Sequence, residues 1–257
     1  MWKTLRILIL LLILVGVAVS AWLDRTATTR WKEPLWVGIY PINADGSSTA
    51  ADYVGSLKRE DFTDIETFFQ AQAPRFGRTL PQPVRIELYP QSSRLPPELK
   101  PGSGYVGVAL WSLKLRWFAS RAEQVPGRIP PRIRLFVLFH DPAQLQSVPD
   151  SHGMQKGLVG VVHAFADHSM AGSNDVVVAH ELLHTLGATD KYQPGTGAPI
   201  FPDGFAEPAS EPLYPQAKAE IMAGRRALSE TDSDMPRSLR EVVVGPATAA
   251  EIRWTPQ

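Results

Sequence analysis

Proline decides where this chain can be regular. Pro194, Pro199, Pro202, Pro208, Pro212 and Pro215 crowd one stretch, and each removes a backbone N–H and fixes φ at about −65°. A central strand or an uninterrupted helix is excluded there. Regular structure is therefore expected upstream of Gly187. An irregular lower part, 188–257, follows, with a short helix near 247–253.

Upstream, apolar periodicity alternates between two values. Residues 34–40, Pro-Leu-Trp-Val-Gly-Ile-Tyr, read as a strand ended by Pro41 and a turn-rich run from Asn43 to Ser48. Phe62, Ile65, Phe68 and Phe69 recur at helical spacing within 57–73. Residues 84–89 alternate as a half-buried strand does. A helix is expected over 106–121, with Trp111, Leu115 and Trp117, and a well-buried strand over 133–139. Residues 157–165 read as a further strand, either at the sheet edge or inside the sheet. Ser173-Asn174-Asp175 then offers a helix start, and Val176 to Leu186 a helix halted by Gly187. The order strand, helix, strand, helix, strand, strand, helix predicts a mixed α/β (α+β) domain with a twisted sheet. A hydrophobic content of 44% with 20% charged residues suits a core of that size.

Charge and cysteine narrow the function. Lys plus Arg and Asp plus Glu each total 26, which argues against a nucleic-acid partner. With no cysteine, disulfides, zinc ribbons and thiol nucleophiles are excluded, and any metal must be held by His, Asp, Glu or backbone oxygen. The uncharged apolar run from Ile7 to Leu23 reads as a membrane anchor or a cleavable signal segment. Trp22 and Trp31 suit a membrane interface. Residues 24–33 read as a tether to a domain over 34–257, which would be membrane-bound and extracytoplasmic, or exported if the segment is cleaved.

The chemistry concentrates in His180-Glu-Leu-Leu-His184-Thr-Leu-Gly187-Ala-Thr-Asp190. On a helix, His180 and His184 project from one face one turn apart, so both imidazoles can reach one metal at about 2.0–2.1 Å. Glu181 can reach a water in the metal's open position and serve as general base and acid. Gly187 suits a left-handed helix end. The chain then reverses, bringing Asp190 to where a third ligand is needed. Glu207, Glu211 or Glu220 are the other carboxylates able to fill that role.

This stretch resembles the metzincin clan of zinc peptidases, whose signature is His-Glu-x-x-His-x-x-Gly-x-x-His followed by a methionine turn. Asp190 stands where most members have His, and in that the sequence is similar to the bacterial snapalysin type. The likeness covers mainly 157–224. It implies a metzincin-like zincin with one catalytic zinc, a protein or peptide substrate, and an upper subdomain (34–187) above a lower one (188–257). It also implies that Met222, in Glu220-Ile-Met222-Ala-Gly224, forms the methionine turn beneath the imidazoles. In this clan the strand before the active-site helix rims the cleft, a role that falls here to 157–165. An aspartate ligand leaves less positive charge to act on the metal's water.

Other residues have a functional and a bland reading. Tyr192 and Tyr214 can stabilise an oxyanion or simply pack. Asp203, Glu207 and Glu211 can bind calcium, although they lack calcium-loop spacing. His140, His152, His163 and His168 lack paired ligand spacing and read as core or surface histidines. A non-catalytic zinc-binding assembly protein and a zinc hydrolase of a non-protein amide remain rivals, because they would use the same ligands.

Overall fold

The computed structural model describes residues 29–100, 102–122, 130–155 and 158–255, together with 2, 4–8, 11, 12 and 15. Its centre is a five-stranded sheet in the order β2-β1-β3-β5-β4. The strands are β1 (Leu35–Asn43), β2 (Val84–Leu88), β3 (Ile133–His140), β4 (His152–Met154) and β5 (Val159–Phe165). β2, β1, β3 and β5 pair in parallel, and only β4 runs antiparallel, against β5. The mixed α/β class expected from the sequence is what forms.

Alternation along each strand divides the core into two layers. Val37, Ile39, Leu135, Val137, Phe139 and Val162 face one side of the sheet. There they meet α1 (Ser48–Ser56), α2 (Thr63–Gln72) and α4 (Ala171–Leu186). Tyr40, Ile42, Phe136, Leu138 and Val161 face the other side, which α3 (Tyr105–Ser120) covers through Trp111, Leu115 and Ala119. Strands buried on both faces read as continuous apolar runs, as β1 and β3 do. The opposite face of α3 carries Val106, Leu110, Leu113 and Trp117 in solvent.

Several expectations need correction. The membrane-spanning helix over 7–23 is not supported: among the described residues no helix is long and apolar enough to cross a membrane. Most of that segment, Trp22 included, lies outside the described residues. Trp31, expected at a membrane interface or in a tether, is instead buried. Its indole Nε1 donates to the Ile252 carbonyl at 2.8 Å, and its ring packs edge-on against Trp254. The domain therefore begins within the stretch assigned to the tether.

The start of α4 also differs. Its entry is a 3-10 turn, His168–Met170, capped by Asp167, whose Oδ1 accepts the Ser169 N–H at 2.8 Å. Asn174 lies inside the helix and exchanges two hydrogen bonds with the Phe165 backbone, at 3.1 and 2.9 Å. The side chain that looked like a cap thus pins the helix to the end of β5. The helix expected over 57–73 is α2 flanked by 3-10 turns, Arg59–Phe62 and Ala73–Phe76. α1, a stretch the sequence reading left unassigned, is capped by Ser47. Below the sheet lie the two-residue strands β6 (Ala219–Glu220), β7 (Arg226–Ala227), β8 (Ser233–Asp234) and β9 (Val242–Val243), and then α5 (Pro246–Glu251).

Candidate metal centre

α4 carries His180, Glu181 and His184 beneath β4. His180 Nδ1 lies 2.8 Å from the Ile221 carbonyl and His184 Nδ1 lies 2.9 Å from the Ala188 carbonyl. A carbonyl can only accept, so each Nδ1 bears the proton and each Nε2 presents a lone pair. The two Nε2 atoms face each other at 3.0 Å. Asp190 Oδ1 joins them, 3.2 Å from His180 and 3.1 Å from His184.

Three electron-rich atoms this close repel unless they share a positive charge. A tetrahedral zinc with bonds of about 2.0 Å sets its ligands about 3.3 Å apart, so the donor set fits that ion. Without metal, a proton answers the same demand. Burial lowers the His180 pKa, but the hydrogen bond it donates to Asp190 and the charge of Glu181 outweigh it and leave it raised. Burial likewise raises Asp190, yet its bonds to both imidazoles hold it well below the usual carboxylate range.

The turn that delivers Asp190 depends on glycine. Gly187 has φ +104°, and a Cβ there would meet the Gln155 side chain, with Cδ at 3.0 Å. The Ala188 N–H closes the helix end on the Leu183 carbonyl at 3.1 Å, and the Lys191 N–H bonds the Met222 carbonyl at 2.9 Å. The segments bearing Asp190 and Met222 are therefore joined directly. Met222 is fully buried. Its turn is fixed by Glu220, whose carboxylate accepts from Met222 N (2.6 Å), Ala223 N (3.1 Å), Gly245 N (3.0 Å) and Thr248 Oγ1 (2.8 Å). Burial pushes the Glu220 carboxyl up in pKa, and these four donors offset only part of that. With its oxygens so engaged, Glu220 is a structural tie and not a ligand.

Glu181 behaves differently. It is 4% exposed, and its Oε2 has no hydrogen-bond partner in the protein. Burial raises its pKa, and the charges of the two imidazoles offset part of that. Its ligand atom lies within 4.8 Å of those of His180 and His184. Asp190 Oδ1, at 3.1 to 3.2 Å from both rings, is the better-placed third donor. That leaves Glu181 Oε2 buried beside the centre, under Gly153. A cleft of about 630 Å³ opens there, lined by all four residues and by Tyr192, Gly153 and Met235.

Two sequence expectations separate here. Tyr192 lines the cleft, and burial and then the Asp190 charge push its phenol up to about 12. Tyr214 does not line it and packs against the Phe205 ring, with centroids 5.8 Å apart. Among the described residues, no other group of three His, Asp or Glu side chains draws together. Asp203, Glu207 and Glu211 therefore form no such cluster for calcium, and neither Glu207 nor Glu211 lines the cleft.

The cleft's upper rim was not legible. β5 is interior, between β3 and β4, and the edge strand is the three-residue β4. Gly153 lets β4 lie directly on α4. A Cβ there would sit 2.6 Å from His184 Cβ and 3.1 Å from Glu181 Oε2, and would also collide with the Glu181 carbonyl. Three residues, His-Gly-Met, carry no periodicity for a sequence reading to detect. No protein-family model matches the chain, and no curated protein matches it.

Proposed function

We propose that this chain is a zinc-dependent endopeptidase of metzincin type, with an aspartate as its third ligand. The observation that carries the reading is the convergence of the two Nε2 atoms and the Asp190 carboxylate within 3.2 Å. His180, His184 and Asp190 hold the ion. When bound, zinc polarises a water and the scissile carbonyl.

The chain's own groups do the rest. The free edge of β4 pairs with an extended peptide and lays it along the cleft. Glu181 takes a proton from the attacking water as that oxygen bonds to the carbonyl carbon. The same proton passes to the amide nitrogen as the C–N bond breaks, giving a carboxylic acid and an amine and regenerating the Glu181 carboxylate; the acid's proton, the second from the water, then moves to the amine, and the products part as carboxylate and ammonium. Tyr192, kept protonated, donates a hydrogen bond to the carbonyl oxygen as charge develops there.

An open cleft and an unpartnered Glu181 oxygen favour catalysis over a purely structural zinc, which would be closed by four protein ligands. The test is metal analysis with cleavage of a broad peptide library. The expected result is about one zinc per chain and cleavage abolished by a chelator. Glu181→Gln is expected to keep zinc and lose about 10²–10⁴-fold in turnover. Peptide cleavage at the parental rate by that variant sinks the mechanism.

A further inference from the structure

α3 is apolar on two sides. Trp111, Leu115 and Ala119 face the core. On the other side Val106, Leu110, Leu113 and Trp117 are 74%, 54%, 61% and 60% exposed. At 3.6 residues per turn these four fall within about 60° of one another around the helix axis. They form one strip, and an apolar strip left in water marks an interaction surface. The described apolar residues of the N-terminal run, Leu5, Ile7, Leu8, Leu11, Leu12 and Val15, are themselves more than half exposed, so they leave the strip open.

The strip has basic borders. No Asp or Glu occurs from Leu99 to Ala122, whereas Lys100, Lys114, Arg116 and Arg121 do. Helical spacing sets Lys114 and Arg121 along one border and Arg116 along the other. The Arg121 guanidinium lies over the Trp117 ring, 3.7 Å from its centroid. Arg94 Nη2 donates to the Arg121 carbonyl at 3.2 Å and brings a further cation to the end of the helix. Ring and cation thus meet at one level, which suits a boundary that is apolar on one side and anionic on the other.

These borders choose the occupant. A second copy of the same face would bring like charges together across the contact. A phospholipid surface takes the strip among its acyl chains and answers the cations with phosphates.

We propose that the outer face of α3 docks on an anionic phospholipid surface, its apolar strip entering the boundary between headgroups and acyl chains while Lys114, Arg121 and Arg94 meet lipid phosphates. The helix lies along the surface, and no helix needs to cross it. On the inner face, Trp111 lines the metal cleft. A docked chain therefore holds that wall of the cleft about one helix diameter, ~10–12 Å, from the lipid. The docking stands whether or not the centre hydrolyses peptides.

The test uses the absence of cysteine, which lets one introduced thiol carry a probe to a chosen place. In the full-length chain, Leu113→Cys and Glu60→Cys are each labelled with a nitrobenzoxadiazole group, whose emission shifts to the blue on leaving water. Both positions are exposed, and Glu60 lies close to Phe62, in the core layer on the other side of the sheet. The vesicles are phosphatidylcholine alone, or equal parts of phosphatidylcholine and phosphatidylglycerol. With the mixed vesicles the label at 113 is expected to shift to the blue and the label at 60 to stay as in buffer. Raising the salt should reverse the shift in part. Lys114→Gln with Arg121→Gln is expected to weaken partitioning to the mixed vesicles by about 10- to 30-fold, each cation contributing roughly fivefold. An unchanged label at 113 on a chain that sediments with the vesicles overturns the docking face. So does an equal shift on the two kinds of vesicle, or an unlabelled parent that sediments with neither. A blue shift that grows with protein concentration in the absence of lipid assigns the face to a second copy instead and also overturns the proposal.

Discussion

Adding one methyl group at Gly153 tests whether the contact between β4 and α4 sets the geometry of the centre. In Gly153→Ala the new carbon would sit 2.6 Å from His184 Cβ and press on the Glu181 carbonyl. Ordinary van der Waals contact begins near about 3.5 Å, so strand or helix must retreat by about 1 Å. The helix side of the contact is backbone and a buried Cβ, neither of which can swing aside. The expected cost is about 1–3 kcal/mol of stability from overpacking. A displacement of about 1 Å at reacting groups also costs on the order of 10² in rate. The assay is kcat/KM on one cleaved peptide, with zinc content and Tm measured on the same preparation. The variant is expected to retain zinc, melt lower and lose activity on that scale. Activity within twofold of the parent would refute the claim that this contact holds the rim over Glu181.

Other perturbations follow from the same structure. Asp190→Ala is expected to weaken zinc by more than the roughly 10–100-fold typical of losing an outer-shell partner, measured by competition with a chelator; unchanged affinity removes Asp190 from the ligand set. Glu220→Ala leaves three N–H groups and the Thr248 hydroxyl buried without their acceptor, so urea unfolding should reveal a loss of at least about 3 kcal/mol. Asp175 is buried, and burial, followed by the charges of Asp64 and Asp61, raises its carboxyl pKa to about 8. The folded chain therefore binds a proton there that the unfolded chain releases near pH 4, and the stability it contributes is present below that and lost as pH rises through about 8. Asp175→Asn should make the protein more stable at pH 8 than the parent and no more stable at pH 3.5, as read by Tm across that range.

What the sequence made legible was what local chemistry fixes. β1 and β3 are apolar on both faces, and a parallel sheet between helices is the only packing that uses such strands well. The His180, Glu181 and His184 cluster follows from helical spacing, and the turn to Asp190 follows from Gly187. What escaped was decided at a distance. Asn174 looks like a cap because Asn caps helices, but Phe165 takes its side chain across the fold. Trp31 looks interfacial beside an apolar run, but Trp254, far along the chain, buries it. β4 is too short for a period, and its importance lies in Gly153, where a missing side chain is the signal. Tyr192 and Tyr214 were equivalent on paper, and only the path of the lower part separates them.

The last helix acts as a brace on the centre from two sides. Through Gly245 and Thr248 it holds Glu220 and the Met222 turn. Through Glu251 it holds Thr189 and the Lys191 ammonium, on either side of Asp190. The proline-rich excursion between Lys191 and Gln216 thus leaves and returns through clamped ends. Beyond Tyr192 its length and sequence can drift without disturbing the centre, so natural variation and engineered insertions alike should find this their most permissive ground.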